Sequence, residues 1–176
     1  MKKILLFLSL AAIAFSSCHK DKKDDNYYFS FKADGQDVSF TGYIVAARGT
    51  DSIYKTLTIL GATSATGTGD YLGIYLANSP GLQEFTTGSY HDVDNQNLLL
   101  TTYGRNSLEY EAGETLAEEA AANSIPLAHN FTLTITALTN KVVEGTFSGD
   151  YYIDADPVNG DMVSISEGKF RLRLIQ

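Results

Sequence analysis

The sequence predicts an all-β domain, an antiparallel β-sandwich of about eight or nine strands with one short helical excursion. Three observations carry this expectation. The apolar residues recur with a period of two along most of the chain, the mark of half-buried strands. The composition suits strands: 11 Tyr, 9 Phe, abundant Thr and Gly, 3 Pro and no Trp. Turn-forming clusters punctuate the alternating runs. A curled or barrel-like sheet is the alternative, because long two-faced strands close either way.

Taken in order, Phe29, Phe31 and Ala33 alternate with Ser30 and Lys32, and Asp34-Gly35 then marks a tight turn. Val38, Phe40, Gly42 and Ile44 read as one continuing face, with Ser39, Thr41 and Tyr43 opposite. Leu57 and Ile59 alternate with threonines, and Gly61 to Gly69 holds only Gly, Ala, Ser and Thr, a loop. Leu72, Ile74 and Leu76 share one face of the next strand, Tyr71 and Tyr75 the other. Asn78-Ser79-Pro80-Gly81 is a second turn, and Leu98 to Tyr103 a further strand.

The most regular run is Phe131, Leu133, Ile135 and Ala137 with Thr132, Thr134 and Thr136 between them. A slip of one residue would bury three threonines, so its facing is well specified. Val143, Phe147, Tyr151 and Ile153 form the inward face of the following strand, and residues 156–160 turn the chain. The last strand changes phase. Val163 and Ile165 point inward at odd positions, whereas Phe170, Leu172 and Leu174 do so at even ones. One extra residue near Glu167-Gly168, a β-bulge, reconciles the two. Between strands, Thr115-Leu116-Ala117-Glu118 has the spacing of a capping box with Thr115 as N-cap, which predicts a helical segment over 115–123, stopped by Asn123 and Pro126.

The N-terminus is organised differently. Lys2 and Lys3 precede an apolar run from Ile4 to Phe15, which Phe15-Ser16-Ser17-Cys18 closes. About a dozen apolar residues fall short of the roughly 20 that span a bilayer, and the layout is that of a removed signal peptide. Cys18 is the only cysteine, so no disulfide partner exists for it. The segment resembles a bacterial lipobox, with Phe15 where Leu is usual. This implies residues 1–17 as signal peptide, a lipid on Cys18, a charged tether over 18–26 and a single domain over 27–176. The expected partner is the outer membrane, reached through the anchor, with the domain on the cell surface or the periplasmic face.

Composition excludes several functions. The formal charge of −8 becomes −10 once the two lysines of the leader are removed, which argues against nucleic acid and anionic membrane surfaces. With the only thiol lipidated, no cysteine nucleophile or thiolate zinc site remains. Neither Gly-x-Ser-x-Gly nor His-Glu-x-x-His occurs. No cofactor is expected, and the chain reads as a non-enzyme.

The candidate site residues are few. Tyr71 and Tyr75 offer flat rings suited to stacking on a sugar or another ligand. Asp154, Asp156 and Asp161 surround a turn and are weak candidates for a hard cation; no metal site is expected of them, because Val158 stands where an EF-hand needs a ligand. His91, Asp92 and Asp94 read as a solvated turn, and His129 as a surface residue. Glu109, Glu111, Glu114, Glu118 and Glu119 are a source of paired carboxylates of the kind glycoside hydrolysis uses, and read as a charged, solvated face on a local excursion. Asp51-Ser52-Ile53 matches a short O-glycosylation signal, with Ser52 as acceptor.

Residues 29–35 with Val38 and Phe40, the segment 142–149, the segment 163–170 and Gly88-Ser89-Tyr90 together resemble small Bacteroidota lipoproteins of an uncharacterised all-β family, a domain of unknown function. The resemblance implies an all-β domain on a lipid anchor and lends no activity. Three functions stand as expectations: a non-catalytic envelope module that binds a glycan or an outer-membrane protein; a barrel-like binder of a small apolar ligand; and, last, a hydrolase with a dispersed site.

Overall fold

The computed structural model describes residues 26–50, 54–66, 69–78, 84–92, 97–126 and 130–175. The chain forms β1 (Tyr28–Ala33), β2 (Gln36–Phe40), β3 (Tyr43–Thr50), β4 (Lys55–Ala62), β5 (Tyr71–Asn78), β6 (Gly88–His91), β7 (Asn97–Arg105), β8 (Leu108–Gly113), α1 (Glu114–Ala122), β9 (Phe131–Leu138), β10 (Val142–Ile153) and β11 (Met162–Ile175). The fold is all-β, as the sequence predicts. The described residues hold eleven strands rather than eight or nine. The expected run from Val38 to Ile44 is two strands, because exposed Thr41 and Gly42 carry the chain from one layer to the other. The short β6 and the acidic β8 are the other two; their charged or small residues hide the alternation.

The strands run in the order β2-β1-β11-β3-β4-β5-β7-β8-β10-β9-β6, with β11 also pairing β10. Two layers result. One is β2-β1-β11-β10-β9-β6 and the other is the antiparallel run β3-β4-β5-β7-β8. Two short pairings stitch them together. Leu174 and Ile175 lie parallel to Ala46 and Ala47, and Tyr152 and Ile153 pair Glu111 and Tyr110.

Local chemistry explains the register. Asp34 and Gly35 both take positive φ, 50° and 78°, as a two-residue hairpin between right-twisted strands requires. The bulge falls where the phase break places it. Opposite β1 the pairing jumps from Ser30–Lys169 to Lys32–Ser166, opposite β10 from Phe147–Gly168 to Gly149–Ile165, and Glu167 sits at φ 52°. A second irregularity corrects the sequence reading. Glu144 faces Ala137 but Gly145 faces Ile135, so β9 carries an extra residue at Thr136. Leu138, not Ala137, therefore packs against the core. The burial gain of the larger side chain favours that choice.

The helix also starts elsewhere than expected. Its N-cap is Gly113 at φ 84°, with no side-chain cap, and Glu114 rather than Thr115 opens the first turn. The strand β8 runs straight into α1 through this glycine. A Cβ at Gly113 would lie 2.3 Å from the Leu99 carbonyl oxygen, so the corner needs glycine. Leu116 and Ala120, one turn apart, are buried and dock α1 on the sheet; two turns alone would be marginal. No helix among the described residues is long and apolar enough to cross a membrane.

The layers meet in one aromatic core. Phe147 touches the rings of Phe29, Phe31, Phe131 and Phe170 at centroid distances of 5.4–6.4 Å, and Phe31 meets Tyr103 of the opposite layer edge-on at 5.5 Å. One polar link crosses this interior. Thr101 Oγ1 donates to the Gly73 carbonyl at 2.9 Å and lies 2.6 Å from Tyr151 Oη. Since the threonine proton goes to the carbonyl, Tyr151 donates to Thr101. Burial pushes the Tyr151 phenol far above its ordinary 10.0. Tyr151→Phe leaves Thr101 still bonded and is expected to cost about 1 kcal/mol, whereas Thr101→Val strands a buried hydroxyl and should cost about 2–3 kcal/mol. Denaturant unfolding of the two variants checks the order.

Candidate ligand groove

The outer face of β3-β4-β5-β7-β8 is built by simple alternation. Leu57, Ile59, Leu72, Ile74, Leu99 and Tyr103 point inward and are buried, so their neighbours point out. The register then aligns one outward row across all five strands. Tyr43 pairs Ala62, Ala62 pairs Tyr71, Tyr71 pairs Gly104 and Gly104 pairs Glu109. Two tyrosines thus flank an alanine. Between them runs a groove of about 380 Å³, lined by Leu60 and Ala62 and bounded on the loop side by Ser64 and Gly69. That volume falls in the roughly 300–1,000 Å³ range of small-molecule sites.

Tyr71 is the centre of the arrangement. Its ring lies over Gly104, where a Cβ would come within 2.1 Å of Cε1; only a glycine lets the ring settle on the backbone. Its hydroxyl is within electrostatic reach of Glu109. Burial first, and then the Glu109 charge and hydrogen bond, push the phenol above its ordinary 10.0. Beyond the ring is a second depression of about 130 Å³, lined by Gly104, Arg105, Ser107, Leu108 and Glu109. Glu111 stands two residues along on the same face. Its carboxyl is raised above the ordinary 4.5 by burial, then by Glu109 and Asp154. Glu114 is raised too, by burial and then by Glu118 and Asp92. Of these carboxylates only Glu109 lines a depression, and it shares that lining with Arg105.

The other sequence candidates stand apart. Tyr75 shares the outward face of β5 but sits between Thr58 and Leu100, outside the groove lining. Asp156 is used by its own turn. Its Oδ1 accepts the Val158 and Asn159 amides at 2.8 and 3.0 Å, and these bonds lower its pKa. Asp154 and Asp161 form no cluster with it, and among the described residues no three His, Cys, Asp or Glu side chains are placed to hold a metal ion. His91 meets Thr132 through Nδ1 at 3.1 Å, while Asp92 turns inward and accepts the Asn130 amide at 2.7 Å. Cys18, Ser52, Asp94 and His129 lie outside the described residues.

Tyr43 is the groove residue that sequence reasoning missed. Its outward facing on a strand is legible, but its place opposite Tyr71 depends on the register of three strands. No protein-family model matches the chain, and no curated protein or solved structure is significantly similar to it.

Proposed function

We propose that this protein is a non-catalytic carbohydrate-binding module, held at the cell envelope by a lipid on Cys18. The observation that carries the reading is the Tyr71 ring, spread over Gly104 beside the groove that Tyr43 closes. A flat ring next to hydrogen-bonding carboxylates and hydroxyls matches a sugar, which has an apolar face and a polar edge. The aromatic cluster around Phe147 occupies the middle of the interior, which favours the outer face over an interior ligand. The anchor reading rests on the sequence: the short apolar leader, the small residues before Cys18 and the charged stretch that follows.

Two experiments test the two halves. Cys18→Ala is expected to move the protein from the membrane pellet to the soluble fraction after a carbonate wash, with its circular-dichroism spectrum unchanged. A variant that stays in the pellet contradicts the anchor. Calorimetric titration with neutral oligosaccharides is expected to give saturable heats that Tyr71→Ala weakens at least tenfold, about 1.4 kcal/mol. Equal binding by both proteins removes the groove from the account.

A further inference from the structure

We infer that the groove accepts an extended, uncharged oligosaccharide laid across the strands, rather than one sugar ring. The inference rests on the carbohydrate reading and specifies its ligand. The two depressions share Gly69 and Tyr71, so the Tyr71 ring divides one continuous trough and does not end it. The row from Tyr43 to Glu109 crosses five strands. Four strand spacings make roughly 19 Å, enough for roughly three or four linked rings.

The chemistry along the trough is graded to match. The middle is apolar and aromatic, with Leu60, Ala62 and Tyr71. The far end is polar, with Arg105, Ser107 and Glu109. A chain of sugars would stack its central ring on Tyr71 and offer hydroxyls to the polar groups beyond. Charge selects among chains. Within the trough Glu109 offsets Arg105, so the net charge of the whole chain, −8, decides, and it disfavours a polyanionic glycan. An extended peptide is a poor fit. The strands beneath the trough already pair on both sides, leaving no backbone ladder for a peptide to join.

The test is a length ladder on the full chain: gluco-oligosaccharides and N-acetylglucosamine oligomers of one to six units, with oligogalacturonates as the anionic set. Affinity for at least one neutral ladder should rise about tenfold or more from one unit to four and then level off. Arg105→Ala should weaken the four-unit ligand and leave the two-unit ligand nearly unchanged. Tyr71→Ala should abolish the rise. Tyr43→Ala removes a side chain that is 39% exposed, folds independently of the core and should weaken every length. Equal affinity for one unit and four overturns the extended site and leaves the carbohydrate reading standing. Tighter binding of oligogalacturonate overturns the charge selection and with it this inference. No binding of any sugar overturns both.

Discussion

Phe147→Ala is expected to lower the unfolding free energy by about 3–5 kcal/mol, the range for a buried aromatic reduced to alanine. Phe147 is 3% exposed and meets four phenylalanine rings from β1, β9 and β11. Those strands cannot close inward to fill the space, because each is held by its own ladder of pairings. The cavity therefore persists, and the loss includes both the transfer of the ring and the vacated volume. Against a total of roughly 5–15 kcal/mol for a domain, this is a large share. Phe147→Leu should recover about half of it. Chemical denaturation with fluorescence detection gives both values.

Asn130→Ala is the second large effect, expected at about 2–4 kcal/mol. Asn130 is buried just before β9 and braces the corner between β8 and α1. Its side-chain oxygen accepts the Gly113 N–H, and its Nδ2 donates to the Gly113 carbonyl at 3.2 Å. Alanine leaves both buried backbone groups without these partners, and each unsatisfied group costs about 1–3 kcal/mol. Asn130→Asp should do no better. It keeps an acceptor, loses the donor and sets a second carboxylate near Asp92, which already accepts the Asn130 amide. Hydrogen exchange should show the loss concentrated in α1 and the end of β8.

Much of the fold was legible because its inward residues are large and its outward residues are polar. The alternation in β4, β5, β10 and β11 is written in Leu, Ile, Phe and Thr, and the bulge at Glu167 follows from the change of phase alone. What the sequence hid has physical causes. The extra residue at Thr136 leaves the Phe-Thr-Leu-Thr-Ile pattern intact, and only the size of Leu138 against Ala137 hints at it. The N-cap at Gly113 was masked by Thr115, whose spacing to Glu118 satisfies a rule that the backbone does not use. Strand β8 was hidden because Tyr110 is its one large inward residue, with small Ala112 the next. Of the groove, Tyr71 was readable as an outward aromatic. Tyr43 and Gly104 join it only through cross-strand register, which no local pattern encodes.

Tyrosine-selective NMR tests the central claim most directly. With ring-labelled tyrosine and a bound neutral tetrasaccharide, the account predicts that the Tyr71 and Tyr43 ring signals shift together while Tyr75 and the buried Tyr151 stay in place. Saturable shifts at Tyr75 with none at Tyr71 would contradict it.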